Sequence, residues 1–294
     1  MTEYIDFTFK DDTIILNQSA GFFSCCSIRL DAIIQYYRRF GKLPRKVDST
    51  QQFRLYKLPG QENIDICSEF FCDPDYVNVK TDDFTTPSRG AAPQNFETVN
   101  YKYTFQELDY RRDVVFAPIL PFVQKYFSPN AEILDAVSYF EQKYDLDYNN
   151  TCVLFYRGLD KVTEFPIPTY REVLERARKI SIEHENAAGG GAKLRFLIQS
   201  DETEFIEAAL MEFPDAIVFR DETRSARRQI SSVDLLNDKC DNFFYVKLFF
   251  AIVLIMSRAR YFVCNTGNIS IWTCFYRGGA NENVHQYLNW RYMS

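Results

Sequence analysis

Hydrophobic positions near the amino terminus change period twice in quick succession. Thr13 to Leu16 is a short β-branched run, Asn17 to Gly21 is small and polar, and Leu30, Ile33, Ile34, Tyr37 and Phe40 then recur at helical spacing. Gly41 and Pro44 end that helix, and Lys46 to Asp48 offers a second short strand. Strand, turn, helix and strand in this order predict one βαβ unit. From Gln51 to Tyr110 the period is lost, and Thr85 to Asn95, with Pro87, Gly90 and Pro93, is rich in chain breakers, which predicts a long loop or mobile flap. Asp113 to Ile119 reads as a buried strand. Glu132, Ile133, Ala136, Val137, Phe140 and Tyr144 then recur as an amphipathic helix.

The second half alternates more clearly. Cys152 to Phe155 reads as a buried strand, and Thr169 with Glu172 forms a capping box before Tyr170, Val173, Leu174, Ala177 and Ile180. Asn186 to Ala192, with three consecutive glycines, reads as a flexible loop at the helix end; the Gly-Lys-Ser/Thr of a phosphate-cradling P-loop does not follow it. Leu194 to Ile198 is the next strand, and Asp201 with Glu204 reads as a second capping box opening the helix of Phe205, Ala209 and Met211. Ala216 to Phe219 is a further strand. Beyond a polar, basic loop from Arg220 to Ser232, an apolar helix around Phe244 to Met256 feeds the strand Tyr261 to Cys264, a Gly-Asn turn and an apolar helix from Ser270. Such alternation implies an α/β fold with a mainly parallel sheet.

Size and composition narrow the picture. At 294 residues the chain suits one large domain or two lobes of about 100 to 200 residues each. Hydrophobic residues make up 46%, too many for a disordered chain. A net charge of −6 argues against a broad nucleic-acid surface, because duplex binding relies on Lys and Arg displacing counterions. The eight cysteines show no zinc spacing and read as reduced thiols in apolar surroundings, which suits a reducing compartment. Met1 to Asp12 lacks the basic start and apolar run of a signal peptide. The longest apolar run, Leu248 to Met256, has nine residues against about 20 for a bilayer span, so no membrane span is expected and the run reads as a buried helix.

In a parallel sheet ligands bind beyond the carboxyl ends of the strands, so the residues just after each strand are the informative ones. Arg157, Gly158, Asp160, Lys161 and Glu164 follow the first strand of the second half; Gln199 and Asp201 follow the next; Asn265, Thr266, Gly267 and Asn268 follow the last. Their convergence would form a polar cleft suited to a nucleotide diphosphate. Arg157 could grip phosphate oxygens bidentately, and the helix start near Gly267 and Asn268 would add backbone N–H groups. The plainer alternative is a surface ion pair between Arg157 and Asp160, with Asn268 merely capping a helix.

These same residues carry a family resemblance. The run Phe155-Tyr156-Arg157-Gly158-Leu159-Asp160-Lys161-Val162-Thr163-Glu164 resembles the His-x-Arg-Arg/Gly-x-Asp-Lys element of the GDP-fucose-dependent fucosyltransferase superfamily, which includes α-1,6-, nodulation and protein O-fucosyltransferases. Gln199-Ser200-Asp201-Glu202 is similar to that family's Thr-Asp-Asp, Ala259 to Asn265 to its late strand, and Asn17 to Arg29, with Gly21, to its first β-α turn. Phe155 stands where the family commonly has His, Gly158 where some members have a second Arg, and Ile252 where an Asp helps hold guanine.

The resemblance implies two Rossmann-like lobes facing a cleft, of the GT-B type: residues 1–148 on the acceptor side, 149–280 as the donor lobe, and 281–294 packing back on both. It implies an inverting, metal-independent transfer of L-fucose from GDP-fucose to a glycan hydroxyl, with no cofactor. Arg157 would bind the diphosphate, Asp160 would order its loop, and Gly21, Gln199, Asp201 and Asn265 to Asn268 would line the donor site. Glu164 falls at the place of a catalytic base, with Lys161 beside it.

Other readings stay open at this point. Asp73 with Asp75, and Asp145 with Asp147, each offer two carboxylates to a divalent ion, as a metal-dependent glycosyltransferase using another nucleotide sugar would need. A noncatalytic GDP- or glycan-binding protein of the same fold is the alternative from another class. His184 and His285, without a nucleophile elbow nearby, read as solvated or structural rather than as parts of a hydrolase. Phe22, Phe23, Tyr36, Tyr37, Phe70 and Phe71 read as core, or as a sugar-stacking acceptor cleft. Gln286 to Tyr292 reads as a closing helix, and the chain as cytoplasmic, in bacterial or viral glycan assembly.

Overall fold

A computed structural model of the protein describes residues 7–86, 108–164, 166–187 and 193–288, with Glu164 described by its backbone alone. Strands β1 (Phe7–Lys10) and β2 (Thr13–Leu16) form an antiparallel hairpin whose turn takes Asp11 through a positive φ of 53°. Helix α1 (Phe22–Phe40) follows, ends on left-handed Gly41, and returns the chain to β3 (Lys46–Asp48), which pairs parallel with β2. The βαβ unit is therefore as expected, with β1 as an unforeseen edge strand.

Residues 51–86 are packed rather than flap-like, in short 3-10 turns. Their aromatic residues are spaced without period yet buried: the Phe22 ring lies 5.3 Å from Phe53 and 4.8 Å from Phe70. The breaker-rich stretch lies outside the described residues from Pro87 on, as does the triglycine run. Asp113 to Ile119 forms turns, not a strand, because its prolines break up any ladder and Pro121 opens α2 (Leu120–Phe127). Helix α3 (Ala131–Tyr144) matches its periodicity; Asn130 caps it by accepting from the Ile133 N–H at 3.1 Å.

The second half runs β4 (Thr151–Tyr156), α4 (Lys161–Glu164), α5 (Tyr170–Ala187), β5 (Arg195–Ser200), α6 (Thr203–Glu212), α7 (Val233–Leu236), α8 (Lys239–Arg258), β6 (Tyr261–Asn265), α9 (Asn268–Arg277) and β7 (Val284–Tyr287). Its sheet has the order β5-β4-β6-β7, and every pair is parallel. The Thr169–Glu172 capping box closes reciprocally, at 2.7 Å and 3.3 Å. Ala216 to Phe219 adds only a single bridge, Ile217 to Leu197. The closing helix expected from Gln286 to Tyr292 does not start at Gln286: Val284–Tyr287 is a strand, because the open edge of β6 offers its backbone a full set of partners, and the expectation from residue 289 on lies outside the described residues.

Alternation along β4 sorts the two faces. Cys152, Leu154 and Tyr156 face α5 and α6, whereas Val153 and Phe155 face a larger core built from α1, α8 and α9. Helix α8 is the one described helix long and apolar enough to cross a bilayer, but 72% of its apolar window is buried inside the protein. Trp272 joins the halves: its ring lies 4.8 Å from Phe127 and 6.1 Å from Phe23, and its Nε1 donates to Ser27 Oγ at 2.9 Å. Phe22, Phe23, Tyr36, Phe70 and Phe71 thus belong to the core. All eight cysteines are free, five of them buried.

Both histidines are structural. His184 is buried between the Tyr261 hydroxyl at 3.3 Å and Asn150 Oδ1 at 3.1 Å. Burial, helped by the charges of Arg176 and Arg111, pushes His285 down to about 4. The unfolded chain takes up that proton near pH ~6.5 and the folded chain only near 4, so acidification through this window favours unfolding. We expect the melting temperature to fall more steeply from pH 7 to 4.5 in the wild type than in His285→Gln. Parallel curves would rule out this proton linkage.

Candidate functional site

Neighbouring strands β4 and β6 send their following helices to opposite faces of the sheet: α5 goes to one side and α9 to the other. This divergence leaves a crevice at their carboxyl ends, the place where open α/β sheets bind ligands. A cavity of about 220 Å³ opens there. Gly21, Arg157, Asp160, Lys161, Gln199, Asp201, Thr266, Gly267 and Asn268 all line it, so three strand ends and the start of α1 converge as the strand order requires. Asn265 is buried behind the wall, where its amide meets the backbone N–H and C=O of Arg157 at 3.4 Å each. Glu164 closes α4 beside Lys161, and its side chain lies outside the described part.

Arg157 is held from two sides. Its Nη1 lies 3.1 Å from Asp201 Oδ2 and its Nη2 3.1 Å from Asp160 Oδ1, with the Arg157 side chain 19% exposed. This is a cavity wall rather than a surface ion pair. The Asp201 contact is a charge contact: Oδ2 has no aligned hydrogen bond, while Oδ1 accepts from the Gly158 N–H at 2.9 Å. Burial pushes the Asp201 carboxyl above the usual carboxylate range, against Arg157 and the Gly158 N–H, which hold it down. For Arg157 burial pulls downward, and Asp201, Asp160 and Asp234 outweigh it, leaving the guanidinium raised and charged.

Two sequence expectations change here. Asp201 caps no helix: α6 starts after Glu202 without a side-chain cap, because the Asp201 carboxylate is already committed to Gly158 and Arg157. Asn268 is no helix cap either. It accepts from Ser27 Oγ and donates to Ser24 Oγ, both at 2.8 Å, and so ties the start of α9 to the start of α1. Both helices follow a glycine, Gly21 or Gly267, that has no side chain to cap them, and both begin at the cavity, where the hydroxyls of Tyr56 and Tyr110 accept the Phe22 and Gly267 N–H groups at 2.9 Å and 3.1 Å. Tyr56 occupies part of this space: its hydroxyl accepts the Phe22 N–H at 2.9 Å and donates to Asp234 Oδ2 at 3.0 Å.

Sequence reading missed Tyr56, Arg224, Asp234, Tyr245 and Phe249, all of which line the cavity. Arg224 lies 4.2 Å over the Tyr245 ring and donates to Asn242 Oδ1 at 2.6 Å. Burial raises the Asp234 carboxyl, opposed by Tyr56, Arg157 and Arg224. These residues sit in aperiodic loops or on an apolar helix, where no local pattern separates a cavity wall from a core. The charged lining balances, with Arg157, Lys161 and Arg224 against Asp160, Asp201 and Asp234. An anionic ligand would therefore be held by direct contact with cations and helix amides, not by a long-range field. Asp73 and Asp147 instead accept the N–H groups of Asp75 and Asn149, each two residues on, and neither carboxylate pair lines the cavity.

These features define an α/β fold with a polar crevice at the carboxyl edge of a parallel sheet. The same fold occurs in NodZ α-1,6-fucosyltransferase. A crystal structure of that protein soaked with GDP-fucose superposes with a TM-score of 0.50 at 9% identity, over 90% of this chain and 91% of that one. A second, co-crystallized with GDP, gives 0.50 at 11% identity over 92% of both. No family model matches the chain, and no curated protein matches it in sequence. The resemblance read from the sequence thus holds at the level of the fold.

Gly158 has a steric reason. A Cβ there would lie 1.7 Å from Glu202 Oε2, and Glu202 is fully buried and paired with Arg228. Gly158→Ala is expected to push Glu202 off Arg228 and to destabilise the fold by about 1–3 kcal/mol, read from the denaturant midpoint. An unchanged midpoint would show that the loop yields freely.

Proposed function

We propose that the protein is an inverting glycosyltransferase that moves L-fucose from GDP-fucose to a glycan hydroxyl without a metal ion. The observation that carries this reading is the Arg157 guanidinium, fixed by Asp201 and Asp160 at the wall of the crevice between β4 and β6, opposite the starts of α1 and α9. The fold shared with a protein crystallised with GDP and GDP-fucose supports it. Residues 1–148 form the acceptor side in this reading and 149–280 the donor side, to whose sheet β7 adds an edge strand.

Arg157 and the helix amides hold the diphosphate, where a charge-assisted hydrogen bond contributes about 1.5–3 kcal/mol. Glu164, with Lys161 beside it, removes the proton of the acceptor hydroxyl. That oxygen attacks the anomeric carbon while the bond to the phosphate oxygen breaks, and GDP leaves with the electron pair. One displacement inverts the centre. The cavity of about 220 Å³ is below the ~300–1,000 Å³ of ordinary ligand sites, so donor entry requires the crevice to widen.

A melting screen against GDP, UDP, CDP and their sugars tests the donor. GDP at a hundredfold excess over its dissociation constant should stabilise the protein by about 2.7 kcal/mol, and Arg157→Ala should abolish the shift. Glu164→Gln should keep the shift and lose transfer, and EDTA should leave transfer unchanged. Binding of GDP without transfer or donor hydrolysis would favour a noncatalytic binding protein, and a strict need for Mn or Mg would overturn the metal-free mechanism.

A further inference from the structure

Gln199 is an anomaly on the floor of this cavity. It stands in β5 in register with Phe155 of β4, on the face that Leu197 turns toward the core containing α8. The side chain is 3% exposed, and its Oε1 is buried with no hydrogen-bond partner. Buried unpaired acceptors are costly and uncommon, and an aliphatic side chain at this strand position would avoid the cost. The described residues contain four buried side-chain polar atoms of this kind: Arg29 Nε, Gln52 Oε1, Gln199 Oε1 and Asp201 Oδ2. Of the four residues only Gln199 and Asp201 line the cavity, and Asp201 Oδ2 has Arg157 at 3.1 Å. Gln199 alone of these two is left uncompensated.

We propose that the Gln199 carboxamide reads the nucleobase of the donor, pairing with the N1–H and O6 edge of guanine. The inference rests on the donor reading above. A carboxamide presents an acceptor beside a donor, and exchanging its O and N leaves that pairing available. Its complement is an N–H next to a carbonyl. Phe155 and Phe249, which line the cavity with it, supply flat apolar surface of the kind a base ring requires, beside the Tyr245 ring that Arg224 covers. A carboxylate in this place would accept two donors and so read the exocyclic amine of guanine as well; a carboxamide engaged with N1–H and O6 leaves that amine unread.

Calorimetric titration of wild type and Gln199→Leu with GDP, IDP, 1-methyl-GDP and pyrophosphate decides it. The wild type is expected to bind IDP within about twofold of GDP and 1-methyl-GDP about tenfold more weakly, consistent with the loss of a neutral hydrogen-bonded pair. Gln199→Leu should lose about tenfold on GDP and IDP alike, keep its pyrophosphate affinity, and melt no lower than wild type, because the unpaired oxygen is gone. Unchanged GDP affinity, an equal loss on pyrophosphate, or a lower melting temperature with intact nucleotide binding overturns the assignment. Should the variant fail to fold, the wild-type series still decides, since tenfold discrimination between GDP and IDP would show that another group reads the amine. A wild type that binds none of the nucleotides defeats the donor reading itself, whereas GDP binding indifferent to Gln199 defeats only this inference.

Discussion

The guanidinium of Arg157 is the point on which the crevice is organised. It sits at the first residue beyond β4, where the backbone leaves the sheet, and Asp201 from β5, Asp160 from its own loop and Asn265 from β6 all reach it or its backbone. Three strand ends are thereby referenced to one cation. Buried charge of this sort is costly unless compensated, and the compensation is what gives the loop a defined shape: Gly158 donates to Asp201, and the lack of a Cβ lets Glu202 approach. The position of the arginine is set by its acidic neighbours on two sides.

Support for this wall comes from a core that runs through both halves. Helix α8 has almost no polar face because it is enclosed on nearly every side, and Trp272 fills the space between α1, α2 and α9. The start of α1 and the start of α9 are joined by Asn268 with Ser24 and Ser27. Two helix starts thus approach one cavity from different halves of the chain and are held in that relation by aromatic packing.

The cavity wall is both charged and aromatic. Its lining combines the balanced charges of Arg157, Lys161, Arg224, Asp160, Asp201 and Asp234 with the aromatic residues Phe155, Tyr245 and Phe249 and with Gln199, and the two kinds meet where Arg224 lies over the Tyr245 ring. The close balance of charge also means that the charged groups of the lining compensate one another, through Tyr56 with Asp234 as well as through Arg157 with Asp201.

Local pattern was enough to place α1, α3 and α5, whose buried positions repeat at 3.6 residues, and the strands β2 to β6, which are short apolar or β-branched runs bounded by turn residues. It was also enough to single out the strand-end residues, since a parallel sheet places its ligands there whatever the side chains are. Local pattern could not assign Val284–Tyr287, whose spacing suits a helix until β6 offers an open edge, nor the packing of residues 51–86, whose aromatics are buried without period. It mistook Asp201 for a cap because the capping residues are also good partners for a distant N–H and guanidinium. The amino-acid sequence by itself determined the α/β order and which residues lie at the crevice; only the tertiary structure decided that Arg224, Asp234 and Tyr245 join them and that Gln199 is left unpaired. Partners far apart in the chain leave no periodic trace, so burial and hydrogen bonding become defined only when the helices and strands meet.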